Sequence, residues 1–313
     1  MSTGQRAPCP VLSRQVELKK MNLFIQQVVT GLSIGGIYSL LAVGYALIYS
    51  IFNFTNFAFG AILMCSAYGA YFVVHTLKMT SLISGLLGAI TIGILVSLAT
   101  ELLAYRSLRR LKASRLFLMI SAMGVNIFVQ NLMTIMMSAN LRSLNIKMPF
   151  NVIRFGKIRI GSLDIFSLVI SLIVLAILWF FIGRTKHGIA IRASAHDTDT
   201  AGLMGINVNR ISLIVFAISG LTAAISGTFM GMKYAVYPTL GAISTKAFIS
   251  SVIGGLGSLP GAVLGGFILG VLETMISGYI SSSFRDLFSF GVMIVVLVFL
   301  PNGILGSSAK DKL

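Results

Sequence analysis

The sequence predicts an all-α polytopic membrane protein: about eight transmembrane helices plus a broken or re-entrant half-helix. Three observations predict it. Hydrophobic residues fill 56% of the 313 positions and charged residues only 10%, at a mean hydropathy of +0.94, whereas soluble domains carry roughly 25% charged residues. Seven stretches reach, or nearly reach, the ~20 apolar residues that cross a hydrocarbon core. The 24 Lys and Arg against 8 Asp and Glu, a net charge of +16, fall largely in loops between those stretches, where a membrane protein keeps its basic residues. The composition excludes a soluble enzyme and a solvated coil. It also gives the basic excess a source other than nucleic acid, which is not an expected partner.

The seven stretches are 22–49, 56–77, 81–104, 116–138, 163–182, 211–232 and 261–280. A shorter run, 287–300, spans if it extends over Arg285 or Pro301. Residues 243–254 are apolar but too short, and they stop at Gly254-Gly255-Leu256-Gly257-Ser258-Leu259-Pro260-Gly261. A bilayer tolerates such a break only where protein or a water-filled cavity shields the backbone. The organisation is therefore a polar extension at 1–20, a transmembrane domain at 21–306 that includes a polar segment at 184–210, and a short polar tail at 307–313.

Charge sets the orientation. The loop from Arg106 to Arg115 adds Arg109, Arg110 and Lys112 without an acid, and 183–210 carries Arg184, Lys186, Arg192 and Arg210. Both belong in the cytoplasm by the positive-inside rule, and the two spans between them agree. The loop 139–162 is then external despite Arg142, Lys147, Arg154, Lys157 and Arg159. Its stretch Asn151–Ile160 alternates around Gly156, the pattern of a small hairpin. Three spans before the first cytoplasmic loop put residue 1 outside, against the preference of Arg14, Lys19 and Lys20. Residues 1–20 lack the apolar core of a signal peptide, and Met21 as the natural start removes the conflict.

Glycines recur at spacing four in Gly31/Gly35, Gly227/Gly231, Gly257/Gly261/Gly265 and Gly266/Gly270. That spacing clears one helix stripe for close packing. The cluster Gly254, Gly255, Gly257 and Gly261 is dense enough to mark a shifting helix beside a path as well. Asn53 and Asn56, after the first span, are further candidates for lining it. Intramembrane carboxylates are costly: Glu101 lies near a span end within reach of Arg106 or Arg109, while Glu273 lies deeper, suits a polar contact between helices and is a further candidate for lining the path. Soluble chemistry is absent from the sequence. It has no G-x-x-x-x-G-K-[ST] phosphate loop; His75, His187 and His196 lack metal-ligand spacing, and Cys9 and Cys65 make neither a zinc site nor a disulfide framework. No catalytic or metal site and no bound cofactor is expected.

The polar segment carries the strongest signal. Asp197 and Asp199 suit the first turn of a helix through its dipole, and Ala201, Met204 and Gly205 follow at helical spacing as a small apolar face. Such a helix docks into a partner's groove or lies on the membrane surface. The pattern Arg192-Ala-x-Ala195-x-Asp197-x-x-x-Ala201-x-x-x-Gly205-Ile206 resembles the cytoplasmic loop of branched-chain amino acid ABC transporter permeases, specifically the LivH-like subunit. Gln26-Gln27-x-x-x-Gly31-x-x-x-Gly35 with Tyr38, Asn56-Phe-Ala-x-Gly60, Lys246-Ala-Phe, the Gly254–Gly266 run and Pro301-x-Gly303-Ile-Leu-Gly306 extend the resemblance from about residue 21 onward. The chain departs from it at Phe59 and Ala61, where the family commonly has His and Glu, and at His196, where it commonly has an acid.

The resemblance implies a multi-pass subunit in a bacterial inner membrane, without catalytic residues of its own. Its partners would be a second permease subunit, two ATPase subunits holding ATP and Mg, and a periplasmic binding protein. The ATPase contact would comprise Arg192, Ala195, Asp197, Ala201, Met204, Gly205 and Ile206. Branched-chain amino acids are the implied solutes, with other small polar solutes as alternatives. The basic outer loop either meets acidic groups of the binding protein or is a solvated hairpin. An ion-coupled secondary carrier is the rival reading. It calls for an inverted repeat of halves, and none is evident.

Overall fold

The computed structural model describes residues 10–111, 113–147, 152–155 and 158–306, and the side chains among these from 21 to 147 and from 161 on. The tail 307–313, the first nine residues of the extension, Lys112 and Lys157 lie outside the described residues. The chain folds as α1 (Pro10–Phe52), α2 (Phe59–Thr76), α3 (Leu82–Thr100), α4 (Arg106–Arg110) and α5 (Arg115–Met137). The hairpin strands β1 (Val152–Phe155) and β2 (Ile158–Gly161) follow. Then come α6 (Ser162–Arg184), α7 (Lys186–His196), α8 (Thr198–Leu203), α9 (Val208–Tyr234), α10 (Ser244–Gly254), α11 (Leu259–Tyr279) and α12 (Arg285–Phe299). A π-helical turn, Glu101–Tyr105, fuses α3 to α4, and 3-10 turns, Pro238–Ile243 and Ser282–Phe284, lead into α10 and α12.

Eight of the described helices are long and apolar enough to cross a membrane, one for each stretch read from the sequence. The short eighth run gains its length on the Arg285 side. Arg285 can enter the helix because its guanidinium donates to Ser277 Oγ at 3.0 Å and Tyr234 Oη at 3.4 Å. Pro301 lies beyond the C-terminus, where it cannot remove a ladder hydrogen bond. The expected half-helix is α10, one 11-residue element. The hairpin is antiparallel, pairing Val152 with Gly161 and Phe155 with Ile158, and it is the only sheet among the described residues.

Burial divides the spans. In α1, α2 and α9 the most apolar windows are 94%, 72% and 72% buried, against 11% for α5 and 6% for the span that contains α12. The first three form the centre and the last two the rim. The glycine stripes explain the closest packing: α1 and α11 run side by side with Gly31, Gly35, Gly266 and Gly270 at the seam. A Cβ on Gly270 would stand 2.3 Å from the Gly35 backbone, so no larger residue fits without separating the helices.

Two ends are defined by contacts. At one, Arg109 lies over the Phe52 ring and Asn56 meets Tyr105, while Asn53, Arg192, Gly257 and Leu305 share a crevice. At the other, Arg142 pairs by backbone with Val236, Lys147 N–H donates to Thr80 O, and Lys233 donates to Asp164 at 2.8 Å. The first end gathers both loops that charge assigns to the cytoplasm. The second gathers the outer loop.

Candidate functional site

The basic end carries α7 and α8, and hydrogen bonds define both of them tightly. Thr185 caps α7, its Oγ1 accepting the Gly188 N–H at 3.0 Å. Ile191 and Ser194 are buried against the bundle, Ala195 is half-buried, and Arg192 remains exposed with Nη2 3.4 Å from Gly183 O. Asp197 caps α8. Its carboxylate accepts the Asp199 N–H at 2.9 Å and the Thr200 hydroxyl. The Thr200 hydroxyl first, and the Asp199 N–H second, hold this exposed carboxyl below its usual range. The far end closes with Gly205 at φ +86°, where Gly205 N–H donates to Gly202 O at 3.1 Å and Ile206 N–H to Ala201 O at 3.0 Å. These two bonds and the left-handed glycine make a Schellman cap.

This geometry separates residues that helical spacing had grouped. Ala201 is buried and Ile206 packs on the core at the basic end, but Met204 is 80% exposed and Gly205 faces open space. The residue beside Met204 that stands out most is Leu203, 88% exposed. The pattern Asp197, Ala201, Gly205, Ile206 thus encodes the cap, seat and stop of α8, and the apolar tip is Leu203 with Met204. Sequence reasoning missed Leu203 because the helix ends there, so the 3.6-residue period no longer predicts which way a side chain faces.

The break after α10 is closed by protein. Gly254 and Gly261 touch backbone to backbone, and a Cβ on Gly254 would lie 1.9 Å from Gly261 O. Gly255 and Gly257 adopt φ of +113° and +85°, which glycine alone takes without strain. The carbonyls of Ile253 and Gly254, left over at the end of α10, accept the N–H groups of Ile304 and Leu305 at 2.9 Å each. Of this cluster Gly257 reaches a crevice, shared with Asn53, Ala195 and Arg192 at the basic end. Asn53 takes φ +51° just past α1. Asn56 is 1% exposed and lines no described cavity; its Oδ1 accepts the Ala58 N–H at 3.0 Å and the Tyr105 hydroxyl at 2.5 Å. It ties the start of α2 to the π-helical turn.

Both membrane carboxylates are paired. Glu101 accepts Arg109 and the Ser212 hydroxyl, the latter at 2.8 Å. Glu273, 2% exposed, accepts Tyr38 Oη at 2.7 Å and Lys246 Nζ, and Lys246 also reaches Asp286 at 2.9 Å. Two cavities flank the 3-10 turn before α10 and share Ala242. The outer one, about 360 Å³, opens beside Lys246, Arg285 and Asp286. The inner one, about 440 Å³, lies between α5 and α10, with Asn126, Gln130, Thr239, Ser244 and Thr245 among the aromatic rings of Tyr45, Phe57 and Phe248.

A multi-pass helix bundle with polar groups gathered in cavities between its helices is an architecture that membrane transport proteins use. The chain belongs to the family described as branched-chain amino acid transport system / permease component, which matches residues 27–297. It is 35% identical over 309 residues to the high-affinity branched-chain amino acid transport system permease protein LivH of Salmonella typhimurium, covering 92% of this chain and 97% of that one. It is 36% identical over 302 residues to the corresponding protein BraD of Pseudomonas aeruginosa, covering 92% and 98%. Among solved structures it resembles an inward-facing conformation of a putative metal-chelate type ABC transporter, at 15% identity and TM-score 0.53 over 95% of this chain and 92% of that one. That likeness concerns the fold alone.

Proposed function

We propose that this chain is one transmembrane subunit of a bacterial inner-membrane ABC importer that moves branched-chain amino acids. A periplasmic binding protein delivers the solute to the outer end, and a second permease subunit completes the path. Two ATPase subunits with ATP and Mg drive the change of access, and this chain contributes no catalytic group. The observation that carries the reading is the capped α8, which holds two large apolar side chains, Leu203 and Met204, clear of the bundle at its basic end. Exposed apolar side chains at a fixed position are the means by which a helix docks into a groove. A rigid cap at each end of α8 lets a push on that tip reach α7 and the core through Ala201 and Ile191. The pairing of Glu101 with Arg109 and of Glu273 with Lys246 gives both membrane carboxylates structural partners, which disfavours the ion-coupled alternative.

The test places charge on the tip without touching the caps. In the assembled importer, Leu203→Asp with Met204→Asp is expected to cut solute-stimulated ATP hydrolysis and uptake at least tenfold. The permease itself should still fold, since both side chains are solvent-exposed. Uptake and ATP hydrolysis at wild-type rates would remove α8 from the ATPase contact.

A further inference from the structure

The outer cavity contains more charge than the packing of the helices around it uses. Its wall includes Tyr38, Lys246, Ser282, Arg285 and Asp286, and Glu273 sits directly behind Lys246. The wall thus holds two cations and one carboxylate, and the buried Glu273 behind it brings the group to a net charge of zero. Their roles differ. Glu273 is held in the interior by Tyr38 and Lys246, and Ser289 Oγ stands 3.5 Å from its Oε1. Asp286 is 72% exposed, and among the described residues its one ion pair is the 2.9 Å contact to Lys246. Among the described residues Arg285 forms no ion pair; it donates only to the neutral oxygens of Ser277 and Tyr234. The pocket thus offers a guanidinium that Glu273 influences only across a distance and that touches no carboxylate directly, and a carboxylate whose partner is already neutralised from behind.

We infer that this cavity receives the zwitterionic head of an α-amino acid, a proposal that rests on the importer reading and deepens it. The solute's carboxylate takes the forked donors of Arg285, the side chain best suited to a planar two-oxygen acceptor. Its ammonium takes Asp286. When Asp286 leaves Lys246, Glu273 remains to neutralise that ammonium, so the exchange uncovers no buried charge. Opening an ion pair with so exposed a partner costs little. The ligand is net neutral, and the pocket's charge balance survives its entry and its exit. A solute with one charge alone makes one of these two charge-assisted contacts and forgoes the other, and its entry changes the pocket's net charge by one. The tyrosine ring of Tyr237 and the side chain of Ile243 in the same wall offer an apolar surface for the solute's side chain. The cavity lies across Ala242 from the neutral amide and hydroxyl chamber beside α5, so the zwitterion would be met first by charge and afterwards by uncharged hydrogen-bonding groups.

The experiment uses the importer's permease and ATPase subunits assembled in nanodiscs without the binding protein, with L-leucine as probe and saturation-transfer NMR as readout. A leucine signal is expected for the wild type, with none for 4-methylpentanoate, which lacks the ammonium, or for 3-methylbutylamine, which lacks the carboxylate. Asp286→Asn is expected to weaken leucine binding about tenfold, the weight of one hydrogen bond between charged groups. Asp286→Glu should restore it. Neither change disturbs Glu273, whose contacts with Tyr38 and Lys246 remain. Equal signals from leucine and 4-methylpentanoate, or unchanged binding in Asp286→Asn, overturn the proposal. Leucine uptake by the complete importer, measured in parallel, tests the underlying reading on its own. Uptake with no leucine signal overturns the cavity alone, and neither uptake nor signal overturns both.

Discussion

Glu101 shows how a single side chain in this fold is held by several elements at once. It sits at the start of the π-helical turn with no solvent exposure, and its partners come from α4 and α9, Arg109 and Ser212. Arg109 in turn lies 4.5 Å from the centre of the Phe52 ring at the end of α1. Breaking such a pair by removing one partner strands a buried charge and typically costs about 3–5 kcal/mol. Arg109→Met is therefore expected to lower thermal stability strongly in detergent, by about that amount. Glu101→Gln together with Arg109→Met should recover much of it, because no lone charge remains. Loss in the double variant equal to that in the single one would show that the guanidinium acts through Phe52 and not through Glu101. The sequence put Glu101 within reach of Arg106 or Arg109 without choosing between them, and the π-helical turn that brings Arg109 round to it was not legible. Nor was the burial of Asn56, because its partner Tyr105 lies 49 residues away and only the tertiary fold joins them.

At the scale of elements, hydropathy located every span, because length and apolarity are what a bilayer requires of a helix. The half-helix was legible for the same reason: α10 is too short, and glycines mark its stop. What closes that stop was not legible. The seal is made by Ile304 and Leu305, and a backbone hydrogen bond leaves no trace in residue type. Similarly, the motif in α8 revealed the helix but grouped on one apolar face residues that the fold separates, because Asp197, Ala201 and Gly205 are fixed by capping and seating while Met204 stays exposed. The cap makes a measurable prediction. A carboxyl whose folded pKa is lowered stabilises at any pH above its ordinary, unfolded value, and that contribution disappears as pH falls through the folded value. Acidifying through and below the ordinary carboxylate range is thus expected to loosen α8, seen as faster amide exchange at Asp199 and Thr200. In Asp197→Ala the exchange should be fast already and insensitive to pH beyond the intrinsic rate. A wild-type pH profile in Asp197→Ala would show that the cap comes from another group.

For the molecule as a whole, the rim helices distinguish lipid from a protein neighbour. The span containing α12 has 6% of its window buried, and its exposed residues include Leu287, Phe290, Ile294 and Val298, a surface that acyl chains cover without cost. The α5 window is nearly as exposed at 11%, yet it carries Asn126, Gln130 and Asn131 in mid-span. Polar amides at membrane depth face a protein interior or a water-filled cavity, because hydrocarbon offers their groups no hydrogen bonds. Asn126 and Gln130 line the inner cavity, and Asn131, exposed on the same helix, has one bond, to Ile127 O at 2.8 Å. The α5 face is therefore where a second permease subunit would seat and where the path between two subunits would run. A benzophenone amino acid introduced at Asn131 is expected to cross-link on illumination into a species of about two permease masses when both permeases are co-expressed. The same probe at Ile294 on α12 should yield only lipid adducts. A permease adduct at Ile294 and none at Asn131 would move the subunit seam to α12, and with it the wall of the path away from Asn126 and Gln130.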